Sequence, residues 1–377
     1  MNIPIETDHA ERLAQELAAN GSVRSTAWRR AFANVPRHLF VPTFHLRTPE
    51  GTVTYTDQTP GRLEAIYSDA TLITRFSPEG LAVSSSAEPS LMALMLEDLQ
   101  VRDGMKVLEV GTGTGYNAAL LSERLGSALV TSIDVDEEWV AQARKALDRA
   151  GHRPVLATTD GSQGYPANAP YQRILATCGL GRIPMAWLGQ LDEGGLILAN
   201  VGLGLVRLRK DPDGYARGHF LPGSAGFMRL RSPSVPGLPT LKRVLSATAG
   251  EPDWVREEEK VSGLDDHAMA EFLLSLLLPY GLRVVQHREG NEVHCVLDGA
   301  TGAWIRVEVD REGRATVAEG GGHALWVAYS SLLRAWDEAG RPEIDRYGLT
   351  VIPGGEHHLW LDRPEGPSIP LDHAHGS

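Results

Sequence analysis

The chain reads Val107-Leu108-Glu109-Val110-Gly111-Thr112-Gly113-Thr114-Gly115-Tyr116-Asn117, and Thr131-Ser132-Ile133-Asp134 follows about twenty residues after the glycines. The apolar run Val107–Val110 is typical of a buried parallel strand. The glycines lack the Cβ atoms that would block a tight turn and the close approach of a ligand. The helix predicted after the turn points its free N–H groups and positive dipole end at the same place. The pattern therefore predicts a strand, a turn, a helix, a second strand and a carboxylate, an arrangement that holds nucleoside cofactors.

The composition of the turn indicates which cofactor binds. In dinucleotide folds the glycine spacing seats a pyrophosphate on the helix end. Here the pattern is Gly-x-Gly-x-Gly, and Glu109 precedes it. A carboxylate beside the turn would repel a pyrophosphate, whereas it suits a ligand that carries an ammonium group and a sulfonium. Asp134 can accept both hydroxyls of a ribose. These residues predict S-adenosyl-L-methionine as the cofactor.

Further segments resemble the protein-L-isoaspartate O-methyltransferase family, in the order in which that family has them. They are Val35-Pro36-Arg37-His38-Leu39-Phe40-Val41-Pro42, Asp160-Gly161-Ser162-Gln163-Gly164-Tyr165-Pro166, Ala169-Pro170-Tyr171-Gln172-Arg173-Ile174-Leu175-Ala176-Thr177-Cys178 and Gln190-Leu191-Asp192-Glu193-Gly194-Gly195. The resemblance covers roughly residues 25 to 231. The chain departs from the family at Gln172, where aspartate is usual, and at Cys178, where alanine is usual.

The alternation of strand and helix patterns to about Val201 predicts a parallel sheet with right-handed crossovers. With the resemblance, the expected fold is α/β, a Rossmann-like S-adenosylmethionine-dependent methyltransferase sheet with helices on both faces plus a C-terminal α+β appendix. The Pro-, Gly- and Thr-rich stretch from Val41 to Pro60 predicts a loop, and the proline-rich Ser232–Pro239 predicts a linker. The expected domains are a catalytic domain over 1–235 (N-terminal helices over 1–80, cofactor-binding core over 81–235), a peptide-binding accessory domain over 240–365 and a tail over 366–377.

The second half of the chain has its own pattern of elements. Short alternating strands at Gly204–Arg209 and Gly226–Arg231, with the turn Asp211–Gly214 between them, predict an antiparallel hairpin. The elements predicted in the appendix are the helices Asp265–Pro279 and Ala324–Ala339, the strands Glu292–Leu297 and Ala303–Val309, and the final strands Tyr347–Ile352 and His357–Leu361.

The expected cofactor residues come from the glycine turn and from the resemblance. An ordinary strand-to-helix turn without a ligand is the alternative for the glycines, but the spacing to Asp134 favours a cofactor site. The resemblance implies that Asp160 holds the adenine amino group; the alternative is an aspartate in a surface turn. The complete expected set is Glu109, Val110, Gly111, Thr112, Gly113, Gly115, Tyr116, Asn117, Asp134, Val135, Asp160, Gly161 and Thr177.

A loop over Ala82–Ser90, before an amphipathic helix, is expected to position the methyl acceptor. A carboxylate is already a nucleophile at neutral pH, so the reaction requires alignment and desolvation rather than a strong base. The family phrase that resembles this segment is Thr-Ile-Ser-x-Pro, and alignment on its proline places Ala87 where the serine belongs. The catalytic candidates are therefore Ser84, Ser85 and Ser86. The alternative is that a serine only caps the following helix.

Composition excludes several classes of partner. The 377 residues carry 36 Lys and Arg against 48 Asp and Glu, a net charge of -12, which argues against nucleic acid as a partner.

Only Cys178 and Cys295 are present, so cytoplasmic localisation is the default. The N-terminus has no signal-peptide pattern, and no apolar run is long enough to span a bilayer. His38, His219 and His294 lack ligand-type neighbours at metal spacing, so no metal site is expected.

The acceptor is inferred from the altered serine segment and the C-terminal appendix. Together they resemble methyltransferases that modify ribosomally made peptides such as lanthipeptides and graspetides. That resemblance implies methylation of an aspartate side chain in a cyclised precursor peptide, with the ester leading to a succinimide (aspartimide) and, on hydrolysis, to isoaspartate. One alternative is the isoaspartyl methyltransferase that repairs damaged proteins. Another is a non-catalytic, cofactor-gated peptide-binding protein.

Overall fold

The computed structural model describes residues 5–49, 51–78, 80–232, 237–288, 290–322 and 324–371. The chain forms two compact units, one of Met1–Cys178 with Ala186–Ala199 and the other of Gly179–Met185 with Asn200–Ser377. The centre of the expected linker, 233–236, and the end of the expected tail, 372–377, lie outside the described residues. The domain boundary expected near residue 235 therefore stays a prediction.

The first unit contains seven α-helices and nine strands among its described residues, although Met185 and residues 179–180 and 200–201 of these elements belong to the second unit. Its helices are α1 (Ile5–Ala19), α2 (Thr26–Asn34), α3 (Arg62–Ile66), α4 (Pro89–Asp98), α5 (Tyr116–Leu125), α6 (Glu137–Arg149) and α7 (Met185–Gln190). Its strands are β1 (Phe44–Thr48), β2 (Gly51–Tyr55), β3 (Leu72–Phe76), β4 (Ala82–Ser86), β5 (Val107–Val110), β6 (Val130–Asp134), β7 (Val155–Thr158), β8 (Tyr171–Leu180) and β9 (Leu191–Val201).

The main sheet of this unit confirms the α/β fold expected from the sequence. Its strand order is β9-β8-β5-β6-β7, and β5 pairs in parallel with both β6 and β8. The register brings Val110 opposite Ile133 on one side and Ala176 on the other. The chain order reverses direction at β5, and such a switch point at the carboxyl ends of the strands is where α/β sheets bind ligands.

The stretch predicted as a loop from Val41 to Pro60 is instead largely a β-hairpin, so that prediction was wrong. Strands β1 and β2 pair antiparallel, and Phe44 stacks on Tyr55 at 4.8 Å between ring centroids. The segment contains Thr52-Val53-Thr54-Tyr55, residue types that favour strands. The hairpin belongs to a four-stranded sheet of order β2-β1-β3-β4.

The second unit contains a hairpin, a five-stranded sheet and three helices among its described elements. The helices are α8 (Leu241–Thr248), α9 (His267–Leu277) and α10 (Leu325–Glu338). The strands are β10 (Gly204–Lys210), β11 (Ala216–Ser224), β12 (Trp254–Glu258), β13 (Gly281–Arg288), β14 (Asn291–Asp298), β15 (Trp304–Val309), β16 (Ala315–Gly320), β17 (Tyr347–Val351), β18 (His357–Leu361) and β19 (Ser368–Pro370).

The predicted hairpin turn at Asp211–Gly214 is confirmed, but its second strand is β11 rather than Gly226–Arg231. In the segment Gly226–Arg231 the described strand pairing is an isolated bridge between Arg229 and Gly179. The strand β17, predicted as part of the appendix, pairs with β11, and β18 pairs with β17. The end of the chain thus returns to the hairpin.

The rest of the appendix forms the antiparallel sheet β12-β16-β15-β14-β13. One face packs against α8, where Val244 is buried with Val293, Cys295, Leu297 and Trp304. The other face meets α9, whose Glu271 accepts a hydrogen bond from Arg283 of β13. Both long helices predicted here are present.

Gly218 in β11 gives a test of the hairpin packing. A Cβ at this position would lie 1.8 Å from the carbonyl oxygen of Arg207 on β10. We expect Gly218→Ala to destabilise the protein by about 1–3 kcal/mol through overpacking, visible as a lower thermal unfolding midpoint. Gly354→Ala is the matched control, since a Cβ there meets nothing within 4 Å. Equal midpoints for the two variants would contradict this packing.

Candidate active site

The glycine turn after β5 requires glycine for two different reasons. Gly111 has φ +103, and a Cβ on it would lie 2.8 Å from Thr177 Oγ1. Gly115 has φ +87, and its Cβ would lie 3.0 Å from the Cβ of Ala143. At Gly113, with φ +49, the nearest atom to a Cβ would be the carbonyl oxygen of Ser85, at 3.9 Å. Gly111 and Gly115 permit close packing, whereas Gly113 permits a positive φ where the turn faces the backbone of β4 at ordinary contact distance.

Hydrogen bonds hold the turn against the end of β6. The backbone N–H groups of Gly111 and Thr112 donate to the carbonyl oxygen of Ile133, at 2.8 and 3.1 Å. The N–H of Gly113 donates to Asp134 Oδ2 at 2.9 Å. Thr112 Oγ1 lies 2.7 Å from Ser132 Oγ. The carboxylate expected to bind ribose therefore also fixes the conformation of the turn.

Glu109 is a fully buried carboxylate directly below the turn. Ser132 Oγ donates to its Oε2 at 2.6 Å, and Asn117 Nδ2 donates to its Oε1 at 2.7 Å. Burial raises the pKa of Glu109 to about 7, although both hydrogen bonds act in the opposite direction. Asn117 Oδ1 is buried and has no hydrogen-bond partner among the described residues. An acidic group and an unpaired acceptor together suit a cationic ligand group.

The remaining expected cofactor residues follow the ends of neighbouring strands. Asp134 pairs in register with Thr158, so Asp160 and Gly161 come just beyond the same edge of the sheet. Asp160 Oδ1 accepts the N–H of Ser162 at 2.9 Å, and the Gly161 carbonyl accepts Trp187 Nε1 at 2.8 Å.

Of two further expected cofactor residues, Val135 follows β6, and Thr177 lies within β8, one residue past its pairing with the end of β5. Val135 is 37% exposed although apolar. Thr177 Oγ1 donates to the Gly111 carbonyl at 2.8 Å. The structure thus brings the predicted set to one edge of the sheet.

The three candidate serines lie on a strand, and the alternation of β4 separates them. Ser84 and Ser86 are buried; Thr74 Oγ1 donates to Ser84 Oγ at 2.9 Å, and Arg37 Nη2 reaches Ser86 Oγ at 3.4 Å. Ser85 points to the opposite face, is half-buried, and its hydroxyl makes no hydrogen bond within the described part of the chain. Its carbonyl lies beside Gly113. Ser85 is therefore the candidate whose hydroxyl has no partner among the described residues, on a strand whose backbone lies beside the turn.

None of these serines caps helix α4, so the alternative that one of them is only a helix cap was wrong. The residue at the N-terminal cap of α4 is Glu88, which makes no side-chain cap bond. The first free N–H of the helix, that of Ser90, donates to Asp69 Oδ1 at 2.8 Å.

Arg37 belongs to the segment Val35–Pro42 that resembles the family, but the sequence pattern assigns it no role. Its side chain is buried and bonds to several carbonyls near β3 and β4. The Pro-Arg-His motif was the only local signal for it.

The two departures from the family have structural explanations. Gln172 accepts the Lys106 N–H at 2.8 Å and donates to Asp192 at 2.9 Å, so it links neighbouring segments. Burial raises the pKa of the Cys178 thiol to about 12. That thiol stays protonated and packs as a small apolar side chain. Nearby, Arg75 of β3 forms ion pairs with Glu138 of α6 and with Asp136, the N-cap residue of that helix.

The described residues contain neither a metal-binding cluster nor a membrane-spanning helix. No group of three or more His, Cys, Asp or Glu within those ranges is arranged to hold a metal ion. No helix in the described ranges is long and apolar enough to cross a membrane.

A parallel sheet with a glycine turn, two acidic residues on its strand ends and an open switch point defines an S-adenosylmethionine-dependent methyltransferase. Residues 8–219 match the protein-L-isoaspartate(D-aspartate) O-methyltransferase family, and the chain belongs to that family. Its members are carboxyl methyltransferases that use S-adenosyl-L-methionine.

Individual relatives agree with this assignment. The chain is 34% identical over 229 residues to the protein-L-isoaspartate O-methyltransferase of Thermococcus sibiricus, covering 58% of this chain and 91% of that one. It is 35% identical over 217 residues to that of Ignicoccus hospitalis, covering 56% and 92%. A solved structure titled protein-L-isoaspartate O-methyltransferase shares the fold with a TM-score of 0.57 at 24% identity, over 94% of this chain and all of the other.

The buried Glu109 predicts a pH-dependent stability. The unfolded chain loses this proton near the ordinary pKa of 4.5, and the folded protein near pH 7. Folding therefore takes up a proton between these values, so the free energy of unfolding falls as pH rises, by about 3 kcal/mol at most. We expect Glu109→Gln, which has no carboxyl at this position, to lack this fall in the free energy of unfolding.

Urea unfolding of the parent and Glu109→Gln at pH 5, 6 and 7 measures the difference. The stability of the parent relative to the variant should fall with each step. Parallel pH profiles for the two proteins would show that Glu109 is already ionised at pH 5.

Proposed function

We propose that this chain methylates the side-chain carboxylate of isoaspartyl residues in proteins or peptides. The observation that carries the proposal is the position of Ser85 on β4, whose carbonyl oxygen lies beside the glycine turn at Gly113, in a chain of the isoaspartyl methyltransferase family. Acceptor and donor sites are then adjacent, as direct methyl transfer requires.

The residues of the turn fit the cofactor. Glu109 and the unpaired Asn117 Oδ1 would hold the ammonium group, and the glycine backbone would allow the methionyl part to approach closely. Asp134 would accept the ribose hydroxyls, and Asp160 the adenine amino group. When bound, S-adenosyl-L-methionine supplies a methyl carbon that a carboxylate oxygen can attack, with loss of a neutral thioether.

The acceptor needs little activation from the protein. Its carboxylate is ionised at neutral pH, so no general base is required. Ser85 Oγ would donate a hydrogen bond to one carboxylate oxygen and leave the other directed at the methyl group. The burial of neighbouring Ser84 and Ser86 keeps the strand rigid around it. The role of Ser85 is therefore alignment.

A second candidate is methylation of an ordinary aspartate in a cyclised, ribosomally made peptide, leading to aspartimide. It is favoured by Ala87, which stands where the family has its serine, so that the hydroxyl comes from Ser85 instead. The C-terminal part does not favour it, because the fold match to a protein titled isoaspartyl methyltransferase covers 94% of this chain. Membership of an enzyme family argues against the non-catalytic peptide-binding alternative.

Methyl incorporation from labelled S-adenosyl-L-methionine distinguishes the two acceptors. The substrates are a hexapeptide with one isoaspartyl residue, the same hexapeptide with aspartate, and a lactone- or lactam-bridged peptide with an aspartate in its ring. We expect base-labile label in the isoaspartyl hexapeptide alone. Label only in the bridged peptide would replace the first proposal by the second.

Ser85→Ala tests the alignment role. Loss of one hydrogen bond to a charged oxygen should lower kcat/KM for the preferred acceptor about 10- to 100-fold. The affinity for S-adenosylhomocysteine, measured by calorimetry, should change little. Ser85→Thr, which keeps a hydroxyl, should recover part of the loss.

Ser90→Ala is the matched control, because Ser90 Oγ donates to Glu88 within the same segment. It should keep the parent rate. A kcat/KM equal to that of the parent in Ser85→Ala would show that Ser85 does not align the acceptor.

A further inference from the structure

Arg37 carries a buried positive charge that the proposed chemistry does not use. Its side chain has no solvent exposure, and within the described ranges no carboxylate lies at ion-pair distance from it. Burial lowers its pKa to about 10, which leaves the guanidinium charged at neutral pH. A buried charge lowers stability unless protein dipoles replace its hydration. The hydrogen-bond partners of Arg37 therefore indicate its role.

The guanidinium is solvated by backbone carbonyls and one hydroxyl. Nη1 donates to acceptors in the segment before β3, and Nη2 donates to acceptors both before β3 and at the end of β4. The acceptors are Ile66 O at 2.7 Å, Ser68 O at 3.0 Å, Ala70 O at 3.2 Å, Ala87 O at 3.1 Å and Ser86 Oγ at 3.4 Å.

These acceptors flank the open end of one hairpin. Strands β3 and β4 pair antiparallel, and Leu72, the first residue of β3, lies opposite Ser86, the last residue of β4. Ala70 and Ala87 come just outside this pair. Arg37 Nη2 therefore closes the hairpin at the end next to Ser85.

The same guanidinium also contacts Tyr116, which follows the glycine turn. Its central carbon lies 5.7 Å from the ring centroid of Tyr116, within cation–π range. Tyr116 is the first residue of α5 and follows Gly115, the last glycine of the turn. Arg37 thus touches both the strand that carries Ser85 and the helix that begins at the glycine turn.

We propose that Arg37 is a positioning residue that sets the distance between the Ser85 hydroxyl and the glycine turn. The inference rests on the proposed methyl transfer, in which those two groups hold the acceptor and the donor. Lysine keeps the charge but cannot donate to both sides of the hairpin, because it lacks the planar fork of donors. A displacement of about 1 Å at a reacting pair can lower a rate about 100-fold.

The experiment compares Arg37→Lys with Arg173→Lys. Arg173 is also a buried arginine that donates to backbone carbonyls, those of Leu99 and Gln100, at 2.7 and 2.9 Å. It pairs in register with Val107, the first residue of β5, at the end of the strand away from the turn. Both variants lose carbonyl hydrogen bonds, but only Arg37→Lys loses them beside Ser85.

We expect Arg37→Lys to lower kcat about 10- to 100-fold with its Kd for S-adenosylhomocysteine within about threefold of the parent. Amide exchange at 70–72 and 85–87 should become faster. Arg173→Lys should keep kcat within about twofold of the parent, even if its thermal unfolding midpoint falls as much as that of Arg37→Lys. An unchanged kcat in Arg37→Lys, or an equal loss in Arg173→Lys, would overturn the proposal.

Two further outcomes remain decisive. If the parent does not methylate the isoaspartyl hexapeptide, the proposed function fails, and amide exchange at 85–87 still decides the role of Arg37. If Arg37→Lys does not fold, Ser86→Ala replaces it, since it removes one acceptor on β4 and leaves the guanidinium in place. Faster exchange at 86–87 in Ser86→Ala supports the proposal, and unchanged exchange overturns it.

Discussion

The hydrogen bond from the Gly113 N–H to Asp134 Oδ2 is the contact on which the site depends. It joins the turn after β5 to the end of β6, so that backbone groups and a carboxylate face the same space. The positive φ of Gly111, Gly113 and Gly115 makes this turn possible. At Gly113 the turn faces the carbonyl oxygen of Ser85, so β4 lies at the edge of the expected cofactor site.

Two buried ionisable groups accompany this arrangement. Glu109 lies under the turn with its pKa raised, and Arg37 lies behind the serine strand with its pKa lowered. Each is hydrogen-bonded mainly to neutral groups rather than to an opposite charge. Burying such a group lowers stability unless its hydrogen bonds offset the loss of hydration. Both groups contact residues that flank the glycine turn.

The cofactor half of the site was predictable because its signals are local. Glycine spacing, Glu109 and Asp134 lie within one strand–helix–strand unit, and the parallel pairing then brings them together. The acceptor half was not predictable in the same way. Residues 82–90 were taken as a loop, and only the alternation of a strand shows that Ser85 faces away from Ser84 and Ser86.

The remaining errors concern pairings between distant segments. The pattern of Tyr347–Val351 predicts a strand but does not say that β11 is its partner. The acceptors of Arg37 come from segments near residues 66–70 and 86–87, which no local motif connects. Such contacts are decided by packing, which a single sequence does not display.

The central claim is that one strand and one glycine turn hold the acceptor and the donor next to each other. A crystal structure with S-adenosylhomocysteine and an isoaspartyl peptide tests it most directly. The account predicts Ser85 Oγ at about 2.7 Å from an acceptor carboxylate oxygen, with Glu109 and Asn117 Oδ1 at the ammonium group of the cofactor. A carboxylate held by other residues, with Ser85 facing solvent, would contradict it.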